Sequence, residues 1–354
     1  MDLDDLLGWK PAIDKMVADV LAKEVQTVKR ESPRLLPFIE SVQEFTLRGG
    51  KRFRALLILA GYHIAGGKDL NVPLPAAAAL ETFQSWMLIH DDIIDHGETR
   101  RGGPTMHLSM AKFHSEHDLA GIDTDFGEAI AITLGDLMES LTTRGFLAPD
   151  VPAERKLAVL SEYGRMTRLT ALGQLLDIYL NASPVGKITE QDVLTVHHLK
   201  SAVYTVSSPL RMGAMLAGAS PSMLEKLGKV GDLLGVAFQL RDDVLGLGIR
   251  SEAEVGKSTN DLFEGKRTLL VVEAWRRATV SGRDALEKVL GNPLASPKKL
   301  DAAIEVIVGT GSLEYSEAKI AQLRDEGFEN MKGIPNAQAE LLRKIGHMLT
   351  ERKV

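Results

Sequence analysis

Almost every long stretch of this chain repeats small or apolar residues every three or four positions, while segments alternating every second residue in Val, Ile and Thr are nearly absent. The series Leu157, Leu160, Tyr163, Gly164, Met166, Thr167, Thr170, Ala171, Gln174, Leu175 shows the pattern plainly. A strand needs a period of two, so the fold class is all-α. The spacing predicts helices at about 11–30, 35–47, 51–65, 75–96, 104–117, 127–147, 153–181, 189–217, 221–247, 266–279, 296–308, 312–331 and 335–352. Glycine and proline punctuate them at Gly49-Gly50, Gly66-Gly67, Pro73, Pro75, Gly102-Gly103-Pro104, Pro149, Pro152, Pro184, Pro221 and Gly256. No Ser/Gly-rich linker, low-complexity tract or short-period repeat divides the chain, so the expectation is a single large helical domain over residues 1–354.

Charge and cysteine content narrow the class further. Lys and Arg number 42 against 48 Asp and Glu, a formal charge of −6, which argues against a basic nucleic-acid binder and against a disordered chain. There is no cysteine, which excludes a disulfide scaffold and any thiolate metal site and fits a reducing cytoplasm. The acidic N-terminus does not read as a signal peptide. The most apolar run, Ala55 to Tyr62, falls far short of the roughly 20 residues that span a bilayer, so a cytoplasmic protein with no transmembrane segment is expected.

The informative charges sit where helix electrostatics disfavours them. A helix opened by Pro75 and closed by Gly97 ends in His90-Asp91-Asp92-Ile93-Ile94-Asp95. A helix C-terminus carries partial negative charge, and Asp91 and Asp95 repel each other from one face at i, i+4. A divalent cation resolves both conflicts, because Mg²⁺ is usually held by one or two carboxylates plus substrate phosphates. The pattern recurs at Gln239-Leu240-Arg241-Asp242-Asp243, in the last turn before Gly246. The mirror image appears in Gly49-Gly50-Lys51-Arg52-Phe53-Arg54, where cations and exposed backbone N–H groups at a helix start suit a bound anion. Arg100-Arg101, Lys257, Lys266 and Arg267 add cations, and the whole describes a site for two polyphosphates.

Together these residues resemble the trans-isoprenyl diphosphate synthases, all-helical head-to-tail prenyltransferases. The Gly49–Arg54 segment looks like the family's isopentenyl diphosphate loop. Asp91-Asp92-Ile-Ile-Asp95 followed by Arg100-Arg101-Gly-Gly-Pro104-Thr105 resembles its first aspartate-rich motif and arginine pair. Lys200-Ser201 resembles its Lys-Thr pair, Gln239–Asp243 its second aspartate-rich motif, and Lys257…Asp261…Glu264-Gly265-Lys266-Arg267-Thr268 the segment after it. The ordered set runs from Gly49 to Thr268.

The resemblance implies one bundle of antiparallel helices around a central cavity, in a homodimer that condenses isopentenyl diphosphate with an allylic diphosphate and releases diphosphate. It implies up to three Mg²⁺ ions on Asp91, Asp95 and Asp242, with Asp92 and Asp243 supporting them. Lys51, Arg54, Gln84 and Arg101 would hold isopentenyl diphosphate. Arg100, Lys200, Lys257 and Lys266 would hold the allylic diphosphate, with Ser201 and Gln239 near its first carbons. Gly246 stands where the second motif usually has a third Asp, which implies looser binding of one metal or of the allylic substrate. Bulky residues four or five positions before the first Asp set a floor for short products in the family, which gives Trp86 and Met87 that role. Trp86 lies about 7.5 Å below Asp91 at about 1.5 Å per helical residue. A C20 product is favoured, with C15 the alternative.

Three other readings account for less. A class I terpene cyclase needs a Ser/Thr and a Glu where Gly246 and Arg250 stand, and leaves Lys51 and Arg54 without purpose. A helical phosphohydrolase built on His90-Asp91 and His63 leaves the second acidic helix end unexplained. A regulatory subunit of a heteromeric prenyltransferase is suggested by Gly246, and opposed by Lys51, Arg54, Asp91, Asp95, Arg100, Lys200 and Lys257. His90 reads as a partly buried histidine, and the adjacent His197 and His198 as pointing to different helix faces.

Overall fold

The computed structural model describes residues 1–247 and 261–352; of the expected site residues, Lys257 lies outside them. The described regular structure is helical apart from one short hairpin, β1 (Thr99–Arg100) and β2 (Gly103–Pro104), with Thr99 opposite Pro104. The helices are α1 (Leu3–Leu7), α2 (Lys10–Glu31), α3 (Leu36–Leu47), α4 (Phe53–Ile64), α5 (Leu74–Ile94), α6 (Met106–Glu116), α7 (Asp123–Phe146), α8 (Ala153–Asn181), α9 (Glu190–Val196) and α10 (Ser208–Ala217). They continue with α11 (Pro221–Gly246), α12 (Leu269–Arg277), α13 (Val280–Glu287), α14 (Pro297–Gly309), α15 (Ser312–Glu329) and α16 (Asn336–Thr350). Between α9 and α10, His197–Ser207 is wound as a π-helix.

The expected helices recur within a few residues of their ends, with three differences. The helix expected over 189–217 is interrupted by the π segment. Helix α1 is too short to show a period and is set by a capping box between Asp2 and Asp5. Helix α13 buries only Leu286, so its sequence carries no apolar repeat; Thr279 caps its start through the Gly282 N–H.

The chain forms two compact units, Met1–Ser161 with Met212–Ala219, and Glu162–Arg211 with Ser220–Val354. In the first, α5 packs on α2, α3, α4, α6 and α7. Its Ala76–Ala79 run is buried and keeps the neighbours close; a Cβ on Gly145 of α7 would sit 2.7 Å from the Ala79 Cβ. The apolar run Ala55–Tyr62 is the buried body of α4. At its start Arg52, with φ 51°, turns inward: Nε donates to Asp14 at 2.7 Å, Nη1 to Glu81 at 2.9 Å and Nη2 to the Thr46 carbonyl at 3.2 Å.

In the second unit α11 packs on the π segment, α12, α15 and α16. Gly231 and Gly235 allow that approach, since a Cβ on either would lie 2.5 Å and 2.6 Å from the Cα of Ser207 and Ala202 respectively. Two apolar clusters fill this unit, one around Val196, Ala237, Leu240 and Ile320, the other around Leu247, Leu262, Leu270 and Ile307. Among the described residues, no helix is long and apolar enough to cross a membrane.

Candidate active site

In the first unit α5 ends one residue short of Asp95, which caps the helix by donating its N–H to the Asp91 carbonyl at 2.8 Å. Asp91 is half-buried and Asp95 exposed, while Asp92 points inward and is fully buried. Its Oδ1 accepts hydrogen bonds from Arg100 Nε at 2.8 Å and from Arg100 Nη2. Burial raises the Asp92 pKa, against the pull of Arg100. For Arg100, burial works against the charged form, but the bond to Asp92 and the charges of Asp91 and Asp95 outweigh it and raise its pKa.

Arg100 is placed by the hairpin. Its two turn residues, Arg101 and Gly102, have φ of 52° and 76°, the positive values that tight hairpin turns with right-handed strand twist require. Arg48 clamps this turn, donating to the Pro104 carbonyl at 2.6 Å, and a Cβ on Gly103 would strike its guanidinium at 2.6 Å. The reading of the sequence passed over Arg48, whose partners lie 52 and 56 residues away.

Helix α4 starts at Phe53, so Lys51 and Arg52 precede it instead of occupying its first turn as expected. Lys51 is exposed and Arg54 half-buried in that first turn. Gly50 lies beside Arg101, its Cβ position 3.5 Å from Arg101 Nη2. Arg101 has its pKa lowered, first by burial and then by the nearby charges of Arg52, Arg54 and Arg100, with Glu81 opposing. Arg101 Nη1 and Gln84 Oε1 are both buried without a hydrogen-bond partner. Gathered guanidinium groups and an unmatched buried donor are what an anion would satisfy.

His90 turns to α7, its Nε2 lying 3.1 Å from the Ile132 carbonyl. Trp86 meets Phe83 edge-on at 5.8 Å and His90 at 6.1 Å. Met87 beside it is half-buried.

In the second unit Asp242 pairs with Arg352, whose guanidinium also lies 4.3 Å from the centre of the Phe238 ring. Asp243 is buried; its Oδ1 accepts from Gln239 Nε2 at 3.2 Å and its Oδ2 lies 2.9 Å from His197 Nε2. His198 approaches a different carboxylate, Asp232, at 3.4 Å. Lys200 donates to Asp177 Oδ2 at 2.6 Å, with Ser201 buried next to it. Lys266 pairs with Asp261 at 3.1 Å and Glu264 at 2.6 Å.

Asp177 escaped the reading of the sequence, and its neighbour Gln174, whose Nε2 is buried without a hydrogen-bond partner, entered it only as part of the helical repeat. A signal existed: both continue the stripe Tyr163, Thr170, Gln174, Asp177, a polar end to an otherwise small or apolar face. Gly173 makes the contact possible, because a Cβ there would sit 2.3 Å from the Lys200 backbone nitrogen. Gly173→Ala is therefore expected to push the π segment off α8 and cost about 1–3 kcal/mol through overpacking, measured by urea unfolding. A stability unchanged within about 0.5 kcal/mol would show that the segment yields freely.

Among the described residues no three of His, Asp and Glu converge as a metal group. The donors present are carboxylate oxygens in ones and twos, the set that Mg²⁺ takes when phosphates complete its shell.

The chain belongs to the polyprenyl synthetase family of prenyltransferases, which matches residues 37–307. The geranylfarnesyl diphosphate synthase of Aeropyrum pernix is 32% identical over 316 residues, 86% of this chain and 91% of that protein. The geranylgeranyl diphosphate synthase of Methanosarcina mazei is 30% identical, covering 86% of each chain. The crystal structure of geranylgeranyl pyrophosphate synthase from Corynebacterium glutamicum, complexed with isoprenyl diphosphate and magnesium, superposes with a TM-score of 0.90. It shares 32% identity, over 99% of this chain and 100% of that one. The all-α isoprenoid synthase fold expected from the sequence is thus the fold found.

Proposed function

We propose that this chain condenses isopentenyl diphosphate with an allylic diphosphate into a short-chain trans-prenyl diphosphate, with C20 as the main product, and that residues 1–354 act as one catalytic domain. The observation that carries the reading lies in the first unit, where the Asp92–Arg100 pair joins the acidic end of α5 to the cluster of Arg54, Arg100 and Arg101. Lys51, Arg54, Gln84 and Arg101 bind isopentenyl diphosphate in this reading. Arg100, Lys200, Lys257 and Lys266 bind the allylic diphosphate, with Ser201 and Gln239 against its first carbons.

In this reading Asp91, Asp95 and Asp242 would hold magnesium, up to three ions, and Asp92 and Asp243 would support them. Bound there, magnesium supplies Lewis acidity toward the departing diphosphate. As the allylic carbon–oxygen bond breaks, negative charge grows on the leaving group, and Lys200, fixed by Asp177, meets it as a point charge. Arg100, held by Asp92, offers a planar fork to the phosphate oxygens. A homodimer is part of the reading. It is supported by Leu172, Leu175, Ile178 and Tyr179, which stand exposed on one end of α8, and light scattering on the purified protein tests it.

The reading is tested by incubating purified protein with Mg²⁺, isopentenyl diphosphate and dimethylallyl, geranyl or farnesyl diphosphate. An extended diphosphate is expected. Hydrocarbon release would mark a cyclase, and inactivity relieved only by a second polypeptide would mark a regulatory subunit. Trp86→Ala is expected to lengthen the main product by at least one five-carbon unit, read by chromatography of the dephosphorylated alcohols. An unchanged profile would remove Trp86 from chain-length control and leave Met87.

A further inference from the structure

Gly246, in the last turn of α11, has a carboxylate against it. A Cβ on Gly246 would lie 2.1 Å from Asp261 Oδ2 and 3.0 Å from Asp261 Cγ, so the Asp261 carboxyl group fills the volume that any side chain at 246 would need. Asp261 belongs to a well-anchored segment. Leu262 beside it is buried in the same apolar cluster as Leu247, and its carbonyl accepts from the N–H groups of Gly265 and Gly291 at 3.1 Å and 3.0 Å. Gly265, at φ +76°, turns the chain so that the Lys266 N–H reaches the Asp261 carbonyl at 2.9 Å while Lys266 Nζ reaches the Asp261 carboxylate at 3.1 Å.

We infer that Gly246 is a notch that seats Asp261, and that Asp261 is the positioning residue that aims Lys266 at the allylic diphosphate. The inference rests on the proposed function for the identity of that ligand. It reverses the expectation attached to Gly246: the third carboxylate of this helix end is supplied from Asp261 instead of position 246. Placing Asp at 246 would evict the Asp261 carboxyl, set two like charges together and leave Lys266 to Glu264 alone, 2.6 Å away, which turns it from its present aim.

The test is calorimetric binding of inorganic pyrophosphate in Mg²⁺ to the full-length protein, together with Michaelis constants for both substrates. Gly246→Asp, Gly246→Ala and Asp261→Asn are each expected to weaken pyrophosphate binding about tenfold, the scale of one hydrogen bond to a charged group. Each is expected to raise the KM for the allylic diphosphate while leaving that for isopentenyl diphosphate nearly unchanged. Because all act through one contact, Gly246→Ala combined with Asp261→Asn is expected to be no weaker than either alone. Melting curves separate this from general unfolding: the three variants should melt as single cooperative transitions. Pyrophosphate binding as tight in Gly246→Asp as in the parent overturns the inference, and so do additive effects in the double variant. A parent protein that binds no pyrophosphate overturns the proposed function itself, a result distinct from either of these.

Discussion

Asp91→Asn is expected to cut the rate of chain elongation by about a thousandfold while the protein melts within a few degrees of the parent. Asp91 sits half-buried in the last turn of α5, where its charge faces the negative end of the helix and adds to the repulsion felt by Asp92. Attraction to Arg100 offsets part of that repulsion, and Asn keeps the shape of the side chain, so the loss of its charge is expected to cost about 1 kcal/mol or less. Catalysis depends on it far more. In the proposed reaction Asp91 supplies a magnesium-holding oxygen; its removal would forfeit several kcal/mol of stabilisation of the departing diphosphate, and about 4 kcal/mol corresponds to a thousandfold in rate. Steady-state kinetics with saturating Mg²⁺, beside a thermal melt, decides the matter. Activity within tenfold of the parent would show that Asp91 holds no metal.

Arg52→Met carries the opposite signature, a large loss of stability. The Arg52 side chain is 2% exposed and pairs with Glu81, itself 4% exposed, and with Asp14. Burial works against the arginine charge, but Glu81 and Asp14 more than compensate and raise its pKa. Methionine fills similar length yet strands the Glu81 carboxylate in the interior, a change that costs about 3–5 kcal/mol. For a chain of 354 residues that corresponds to a fall in melting temperature of roughly 4–7 °C. Adding Glu81→Gln should recover part of it, because the stranded charge, not the lost attraction, dominates the cost. Equilibrium unfolding in urea measures both. A loss below about 1 kcal/mol for Arg52→Met would mean that Glu81 finds water or another cation.

The helices were legible because their apolar faces repeat over many turns, and the acidic and basic clusters because they oppose the helix dipoles. What stayed hidden depends on tertiary contact. Lys200 has no local mark of function; the resemblance singled it out, and its partner Asp177 lies 23 residues away on another helix. His197 looked like half of an undistinguished pair, and only the packing of the π segment on α11 brings it 2.9 Å from Asp243. Arg52 stood in the sequence among phosphate-seeking cations, yet it is spent inside the first unit, since the inward turn at φ 51° has no signature in residue type. Helix α13 shows the limit of periodicity, with a single buried residue to report.

The winding of His197–Ser207 constrains length as well as side chains. Its bonds skip one residue more than those of an α-helix, so the stretch holds extra chain in the same rise. Deleting one residue there would let it tighten toward ordinary winding at about 100° per residue, which keeps the flanking helices in line but re-aims the side chains inside the stretch. Substitutions in this stretch can be absorbed side chain by side chain. A single-codon gap would instead sever the Lys200–Asp177 pairing, even with both residues retained.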